Sequence, residues 1–542
     1  MAKYNILVTD HLAEEGYEIL RRDSDVALDL RPGIKNDELK TIIGNYDAMI
    51  TRSGTTVTAD LIENPGRLKI IGRAGVGLDN VDIEAASKKG LIVMNAPTGN
   101  TLAAVELTMG MILSAARKIP AADASVRAGE WDRKRFMGIQ LYDKTLGIIG
   151  MGRIGTNVAI RARAFGMRIM IYDPYIKREK AESIGAVLCN KLEDVLKSSD
   201  VITMHTPLTT ETRGMISRER LAMMKKGAIF INCARGGLMD EQAVCDAVSS
   251  GHLFAAGTDV YSDEPPHGNP LVSTPGVFLT PHIGANTHEG QKGVAVIICE
   301  QVLNVLHGRP YQYAVNTSFE KAQLSIEMQL FFEVSEKLGR MAAQLTKGRV
   351  EELRIVMAGE RFEENLGERT FDTPFNYQPF TIALAKGFLE MMVNASISYI
   401  NAPYTAKDKG MVISESKLPE YDKLRDHIIV TVKTDEEEVT YAASVFPDMR
   451  GRVVQIGPFH LDLVTEGLYL YFRNHDTPGI VGKVGTLLGE YQINIANFEL
   501  TRLRPRGGEA ASFVSVDDAI PQEVLDKLLQ FDGIIEAKVI QL

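Results

Sequence analysis

Cysteine is scarce: Cys189, Cys233, Cys245 and Cys299 are the four thiols in 542 residues. They form no CxxC pair and no His/Cys ligand spacing, so neither a disulfide framework nor a zinc site is expected, and a reducing cytoplasm fits best. No apolar run approaches the roughly 18 residues that span a bilayer, and the opening MAKYNILVTD is too short and polar for a signal-peptide core. Neither export nor a membrane is therefore expected. Positive charge is not in excess either: 60 basic against 70 acidic residues leave a net charge of −10, which argues against sequence-independent nucleic-acid binding. Any anionic substrate must be held by local clusters. The 45% apolar and 24% charged content is that of an ordinary soluble protein, and at roughly 150 residues per domain the length implies three or four domains.

The order of apolar runs indicates α/β organisation. Tyr4 to Val8, Asp47 to Thr51, Leu68 to Ile71 and Leu91 to Asn95 read as strands, each followed by turn or helix-start residues, the rhythm of a parallel sheet. A second series runs through Leu146 to Ile149, Arg168 to Tyr172, Val201 to His205, Ile229 to Cys233, Ala255 to Val260 and Val277 to Thr280. The Ala-, Leu- and Met-rich stretch Leu102 to Arg117 reads as the helix crossing between the two units, and Thr287 to Leu306 as a helix returning to the first. Beyond 317 a helix to Leu345, a strand at Leu353 to Met357, a helix at Thr381 to Asn394 and strand-rich alternation from His427 to Leu463 suggest an α+β module. The last 75 residues read as βαββαβ, the ferredoxin-like order.

One motif carries explicit chemistry. The strand ending at Ile149 enters Gly150-Met151-Gly152-Arg153-Ile154-Gly155, which opens a helix, and the next strand ends at Asp173, 18 residues past Gly155. Glycines at these spacings serve a tight turn, close approach of backbone to a pyrophosphate, and close helix–sheet contact, with helix-start amides facing the phosphates. An acid at Asp173 accepts from the adenosine ribose hydroxyls and repels a 2′-phosphate, favouring NAD over NADP. Hydride chemistry then needs a base and a cation. His282 and Arg235 both end predicted strands at the carboxyl edge of the sheet, and Glu264 lies in the proline-stiffened loop Ser262 to Pro266. On spacing alone a surface cation, a solvated acid and a turn histidine remain open readings.

In order and spacing, GIIGMGRIG with Asp173, then Asn232-Cys233-Ala234-Arg235-Gly236-Gly237, Asp259-Val260-Tyr261 with Glu264-Pro265, and Thr280-Pro281-His282-Ile283-Gly284-Ala285 resemble the D-isomer-specific 2-hydroxyacid dehydrogenases over residues 4 to 316. The resemblance implies that Arg235 orients the substrate carboxylate and carbonyl, His282 is the acid/base and Glu264 its partner. It also implies that Arg153, Ile154, Asp173, Thr206, Cys233, Ala234, Arg235, Asp259, His282, Gly284 and Ala285 line an NAD site beside Gly150, Gly152 and Gly155. Cys233 is expected to contribute backbone, not thiol chemistry. The implied architecture is a Rossmann-like NAD domain (98–285) inserted in a flavodoxin-like substrate domain (1–97 and 286–316).

Two strand-end clusters, Arg52-Ser53-Gly54 and Gly72 to Gly77 with Arg73, suit carboxylate capture, and Trp131-Asp132-Arg133-Lys134-Arg135 adds charge of the kind a phosphorylated substrate requires. Similarity to phosphoglycerate dehydrogenases makes Arg52, Arg73 and, from a partner subunit, Arg133 the expected contacts to a phosphorylated hydroxy acid. Residues 317–460 resemble the intervening domain of the long forms, including Lys386-Gly387 and Asn401-Ala402-Pro403, with assembly or anion binding the implied role. Residues 466–542 resemble an ACT domain through Asn474 to Gly482 and Ile493 to Ala496. This implies a serine-responsive site with Asn474, Asp476 and Asn494 as polar contacts between paired copies, hence a homodimer or homotetramer. The expected activity is NAD-dependent oxidation of a phosphorylated D-2-hydroxy acid. The alternatives are a glycerate or hydroxypyruvate reductase, or another D-2-hydroxyacid dehydrogenase, and, from another class, an NAD-sensing binding protein like the C-terminal-binding corepressors.

Overall fold

The computed structural model describes residues 2–317, 319, 324–362, 375, 377–394, 396–419, 426–504 and 507–542. The first sheet contains β1 (Tyr4–Val8), β2 (Val26–Leu30), β3 (Ala48–Thr51), β4 (Ile70–Arg73) and β5 (Ile92–Met94), all parallel, in the order 2-1-3-4-5. That order is the flavodoxin-like one. The edge strand β2 has no counterpart among the sequence expectations, because VALDL is half-exposed and lacks the continuous apolar run that marks the central strands. The helix His288–Leu306 packs on this sheet: Val294, Ile298, Cys299 and Val302 share one core with Ile6, Val8 and Ile50. The chain thus returns to its first unit after completing the second.

The second sheet holds β6 (Thr145–Ile149), β7 (Arg168–Tyr172), β8 (Val187–Leu188), β9 (Val201–Met204), β10 (Ala228–Asn232), β11 (Leu253–Thr258) and β12 (Val277–Leu279), parallel in the order 12-11-10-9-6-7-8. Strand order reverses between β6 and β9, so a crevice opens beyond their carboxyl ends, where ligands of open α/β sheets bind. The two-residue β8 is too short to carry a pattern and is not expected from sequence. The helix Thr101–Arg117 covers this sheet with Val105, Met109, Met111 and Ile112 packed on Ile148, Ile229 and Ile231.

The third sheet is mixed: β13 (Val350–Ala358), β14 (Val412–Leu418), β15 (His427–Thr434), β16 (Glu438–Val445), β17 (Gly451–Ile456) and β18 (Phe459–Val464), in the order 14-13-15-16-17-18. The helices Ile326–Leu345 and Pro379–Met392 pack closely because each carries a glycine at the crossing. A Cβ at Gly339 would lie 2.1 Å from the Leu384 carbonyl oxygen, and one at Gly387 2.0 Å from that of Glu336. Over this crossing Lys386 pairs with Glu336 at 2.8 Å and Glu390 at 3.2 Å, and Arg340 joins both acids. Lys386-Gly387 is therefore a packing device. Asn401 precedes a short helix, Ala402–Asp408, that has no counterpart among the sequence expectations; its Oδ1 accepts from the Ser398 amide, and the Ser398 hydroxyl reaches the Gly90 carbonyl of the first unit.

The last sheet, β19 (Leu468–His475), β20 (Ile495–Arg502), β21 (Glu509–Val516) and β22 (Ile534–Gln541), is antiparallel in the order 20-21-19-22, with helices Ile480–Glu490 and Gln522–Leu529 on one face. Alternation along β19 divides its side chains. Leu470 and Phe472 pack under these helices, whereas Tyr469 and Tyr471 join Phe513 and Ile540 in the core of the preceding module. Both faces of this sheet are thus covered by the same chain.

Candidate functional site

The glycine loop at the end of β6 meets its three requirements at three different residues. Gly150 has φ +93°, and a Cβ there would sit 2.8 Å from the His205 carbonyl oxygen, so the turn demands glycine. Gly155 presses against the turn, with a Cβ position 2.1 Å from the Gly150 carbonyl oxygen. Gly152 instead faces open space, and it begins the helix Arg153–Ala164 without a side-chain cap. The amides of that helix start are left for a ligand. Asp173 lies beside the loop: its Oδ2 accepts from the Met151 amide at 2.7 Å and its Oδ1 from the Tyr175 amide at 2.9 Å.

Thr206 follows β9 across the crevice, its methyl group 2.9 Å from the Gly150 Cβ position. Its hydroxyl is buried with no partner among the described residues. An uncapped helix start, a bare Gly152 and an orphaned hydroxyl together fit a dinucleotide. Burial pushes His205 down to about 3, so its imidazole is neutral at physiological pH. Burial likewise raises the Cys233 thiol to about 12, which excludes thiolate chemistry there. Asn232, which sequence reasoning does not single out, holds the turn that follows β10: its Oδ1 accepts from the Ala234 amide at 3.0 Å and its Nδ2 donates to the Arg235 carbonyl at 2.8 Å.

His282 stands just beyond β12 with φ +53°, a left-handed conformation uncommon for a residue with a side chain. Buried Asp259 holds it there. Its Oδ1 accepts from the Thr280 hydroxyl at 2.6 Å and the Ile283 amide at 2.8 Å, and its Oδ2 from the Gly284 amide at 2.8 Å. The Tyr261 hydroxyl adds a bond to the Thr280 carbonyl at 2.9 Å, and the Ala285 carbonyl accepts from the Gln291 side chain at 2.8 Å. With all of these bonds internal, Asp259 anchors the histidine loop. His282 Nδ1 lies 2.7 Å from Glu264 Oε2, while Glu264 Oε1 accepts from the Tyr261 amide at 3.1 Å. A carboxylate at Nδ1 favours the tautomer protonated there and leaves Nε2 outside this pair.

The carboxyl ends of the first sheet supply cations. Arg52 is tied down by its amide, which donates to Asp10 Oδ2 at 2.6 Å, and by its Nη1, which reaches the His11 carbonyl at 3.0 Å. Ser53 beside it is exposed, and Gly54 gives Asp10 room: a Cβ there would lie 2.3 Å from Asp10 Oδ1. Arg73 is largely buried, its Nε without a hydrogen-bond partner among the described residues. Burial, and after it the charge of Arg235, bring its guanidinium down to about 10. Arg235 reaches across from the second unit, donating from Nε to Asp79 Oδ2 at 2.9 Å and from Nη1 to the Ala234 carbonyl at 2.7 Å. Arg52, Arg73 and Arg235 thus form one group of cations.

Arg133 is not brought to that group. It lies on an exposed segment beside Trp131, which is 82% exposed, and no contact within the described residues joins it to the other arginines. The three polar residues of the last sheet are also separated. Asn474 pairs with Ala510 and Asp476 follows one turn on, salt-bridged to Arg502 at 3.3 Å, whereas Asn494 precedes Ile495, which pairs with Val516. Ala510 and Val516 are six residues apart along β21, about 20 Å at strand spacing. Asn494 instead donates to Asp517 at 2.6 Å.

Family profiles match three stretches of the chain: the D-isomer specific 2-hydroxyacid dehydrogenase NAD binding domain at residues 109–284, the D-3-phosphoglycerate dehydrogenase intervening domain at 327–457 and the ACT domain at 468–533. A D-3-phosphoglycerate dehydrogenase of Methanocaldococcus jannaschii is 40% identical over 539 residues, 99% of each chain. One of Bacillus subtilis is 38% identical over 540 residues, covering 99% of this chain and 100% of the other. Among solved structures, D-lactate dehydrogenase from Aquifex aeolicus, complexed with NAD and lactic acid, matches at 29% identity with a TM-score of 0.51, over 56% of this chain and 96% of that one.

Proposed function

The chain belongs to the D-3-phosphoglycerate dehydrogenases of the D-isomer-specific 2-hydroxyacid dehydrogenase family, and from that premise we propose that its cleft oxidises the C2 hydroxyl of 3-phosphoglycerate to the ketone of 3-phosphohydroxypyruvate, the step that opens the phosphorylated route to serine. The observation that carries the catalytic assignment is the His282–Glu264 pair at 2.7 Å on the NAD-domain side of a cleft whose far wall presents Arg52 and Arg73. NAD, when bound, supplies the acceptor for the C2 hydride. Gly152, Arg153, Ile154, Asp173 and Thr206 would hold it. His282 Nε2 takes the hydroxyl proton, and Glu264 stabilises the imidazolium that results. Arg235 binds the substrate carboxylate and polarises the C2 oxygen, while Arg52 and Arg73 hold the phosphate, a dianion better matched by several guanidinium groups than by one.

Two features support an assembly. Ile119, Val126, Trp131, Met137 and Tyr142 are 51, 56, 82, 73 and 75% exposed along residues 119–142, more apolar surface in one segment than a monomer usually leaves bare. A second copy covers this segment and thereby delivers its Arg133 to the neighbouring cleft. The separation of Asn474 and Asp476 from Asn494 likewise means that a serine site using all three is built by two copies, each contributing one end of its sheet. All four cysteines are free, which suits a reducing cytoplasm, and among the described residues no helix is long and apolar enough to cross a membrane.

The test is NADH formation from 3-phosphoglycerate, glycerate and D-lactate at alkaline pH, where removal of the released proton favours oxidation. Preference for the phosphorylated acid is expected. Equal or better use of an unphosphorylated one overturns the substrate assignment. A serine titration of the same assay, followed by sedimentation, tests the effector reading: lowered activity supports it, and no response leaves the last sheet as an assembly element.

A further inference from the structure

We infer that Asp79 is the positioning residue of Arg235, and the counter-charge that the arginine cluster shares. The inference rests on the reading of Arg235 as the substrate-orienting cation. Arg235 and Asp79 are 156 residues apart and belong to different sheets, yet Arg235 Nε meets Asp79 Oδ2 at 2.9 Å. The Ala234 carbonyl takes Nη1 at 2.7 Å. With one bond on Nε and one on Nη1, the plane of the guanidinium is set, and Nη2 is left without an acceptor among the described residues. A planar group fixed at two of its nitrogens presents the N–H donors of the third, Nη2, to a carboxylate in a defined orientation.

Three further observations single out Asp79. First, Gly77 is cut away to admit the pair: a Cβ there would stand 2.1 Å from Arg235 Nη2 and 2.8 Å from Asp79 Oδ2. Second, the loop that carries Asp79 is itself held, as a positioning group requires. Asn80 Nδ2 donates to the carbonyls of Arg52 and Thr55, each at 2.6 Å, and the Val81 amide donates to the Leu78 carbonyl at 2.9 Å. Third, the neighbouring carboxylate Asp10 also favours the Arg73 charge, but its Oδ2 accepts from the Thr51 hydroxyl and the Arg52 amide, and it is Asp79 that meets Arg235 as well. Asp79 therefore balances both Arg73, whose charge Arg235 opposes and Asp79 favours, and Arg235 itself. The pair contributes little to stability, because the Asp79 side chain is 58% exposed. Its contribution is orientation.

The two roles separate kinetically. Removing the charge leaves an unbalanced cation, so a phosphorylated substrate still binds, while the misaligned carboxylate and C2 oxygen react slowly. Asp79→Asn keeps an acceptor of the same size and is expected to lower kcat about tenfold. Asp79→Ala frees the guanidinium and is expected to lower kcat about 100-fold, the scale set by misplacing a reacting group by about 1 Å. In both, KM for 3-phosphoglycerate stays level or falls, inhibition by inorganic phosphate strengthens, and NAD affinity and Tm match the parent. A merely structural role would raise KM as kcat falls. The inference is overturned if both variants keep kcat within about twofold while Arg235→Ala is inactive, or if KM rises in step with the loss. Near-normal turnover by Arg235→Ala would instead remove the substrate role of Arg235, and the inference with it.

Discussion

Substituting alanine in turn for the three glycines of the loop after β6 separates what holds the fold from what holds NAD. At Gly155 the new Cβ would lie 2.1 Å from the Gly150 carbonyl oxygen, against an ordinary contact of about 3.5 Å, so the helix Arg153–Ala164 must retreat by more than 1 Å. Overpacking of this kind costs about 1–3 kcal/mol. At Gly150 a φ of +93° costs about 1–2 kcal/mol for a residue with a Cβ, and the approach to the His205 carbonyl at 2.8 Å adds to it. At Gly152 nothing lies within 4 Å and φ is −72°, so alanine is free of strain. Its methyl group instead occupies the surface a pyrophosphate must approach. Losing one or two charge-assisted hydrogen bonds there amounts to about 2–4 kcal/mol, a factor of about 30 to 1,000 in Kd. Thermal unfolding followed by NADH fluorescence titration reads both quantities. The expected pattern is a lowered Tm for Gly155→Ala and Gly150→Ala, and an unchanged Tm with greatly weakened NADH binding for Gly152→Ala. Parental NADH affinity in Gly152→Ala would refute the placement of the pyrophosphate; a Tm loss equal to that of Gly155→Ala would refute the division of roles.

Glu264→Gln retains a hydrogen-bond acceptor for His282 but removes the charge that faces the imidazolium at 2.7 Å. In a half-exposed cleft that charge contributes about 2–4 kcal/mol, so kcat falls about 100-fold with NAD affinity unchanged, as stopped-flow and binding titrations would report. Arg73→Leu removes a buried cation whose Nε has no partner among the described residues; Tm is expected to hold or rise while KM for 3-phosphoglycerate increases at least about tenfold, and a fall in Tm without a change in KM would contradict the anion-binding role. For Glu336, burial disfavours the carboxylate, but Lys386, Tyr399 and Arg340 outweigh it and hold the group below its ordinary range. Its contribution to stability is therefore present above the unfolded value, near 4.3, and is lost as pH falls through the depressed folded value. Glu336→Gln is expected to cost about 3 kcal/mol at pH 7, and the gap between the denaturation curves should close as pH falls below the ordinary carboxylate range.

Features written in contiguous residues are legible in the chain itself. The Gly150 to Gly155 loop, its flanking strand and helix, and the βαββαβ order of the last module depend on periodicity and turn chemistry over short windows. The observed strand boundaries differ from those expected by one or two residues at most ends, as at Ile70–Arg73 for the expected Leu68 to Ile71. Strands without a long apolar run escape such reasoning, as do the helix Ala402–Asp408 and β14, which lie in a polar stretch where no strong period exists. Lys386-Gly387 stands in the sequence as a motif with no evident chemical reason; the reason is the backbone contact of Gly387 with Glu336, visible only once two helices cross.

The sequence by itself determined the dinucleotide loop and most of the order of elements, because each depends on residue type and local spacing, and its family resemblance supplied candidates for the acid, base and cations. Tertiary structure alone decided which of them meet. It joined Arg235 to Asp79 across two sheets, set Asp259 behind the His282 loop, left Arg133 on the surface and placed Asn494 at the opposite end of its sheet from Asn474. These outcomes follow from strand order, register and the return of the chain to its first unit. They are sums of contacts between distant residues, and no local window encodes them.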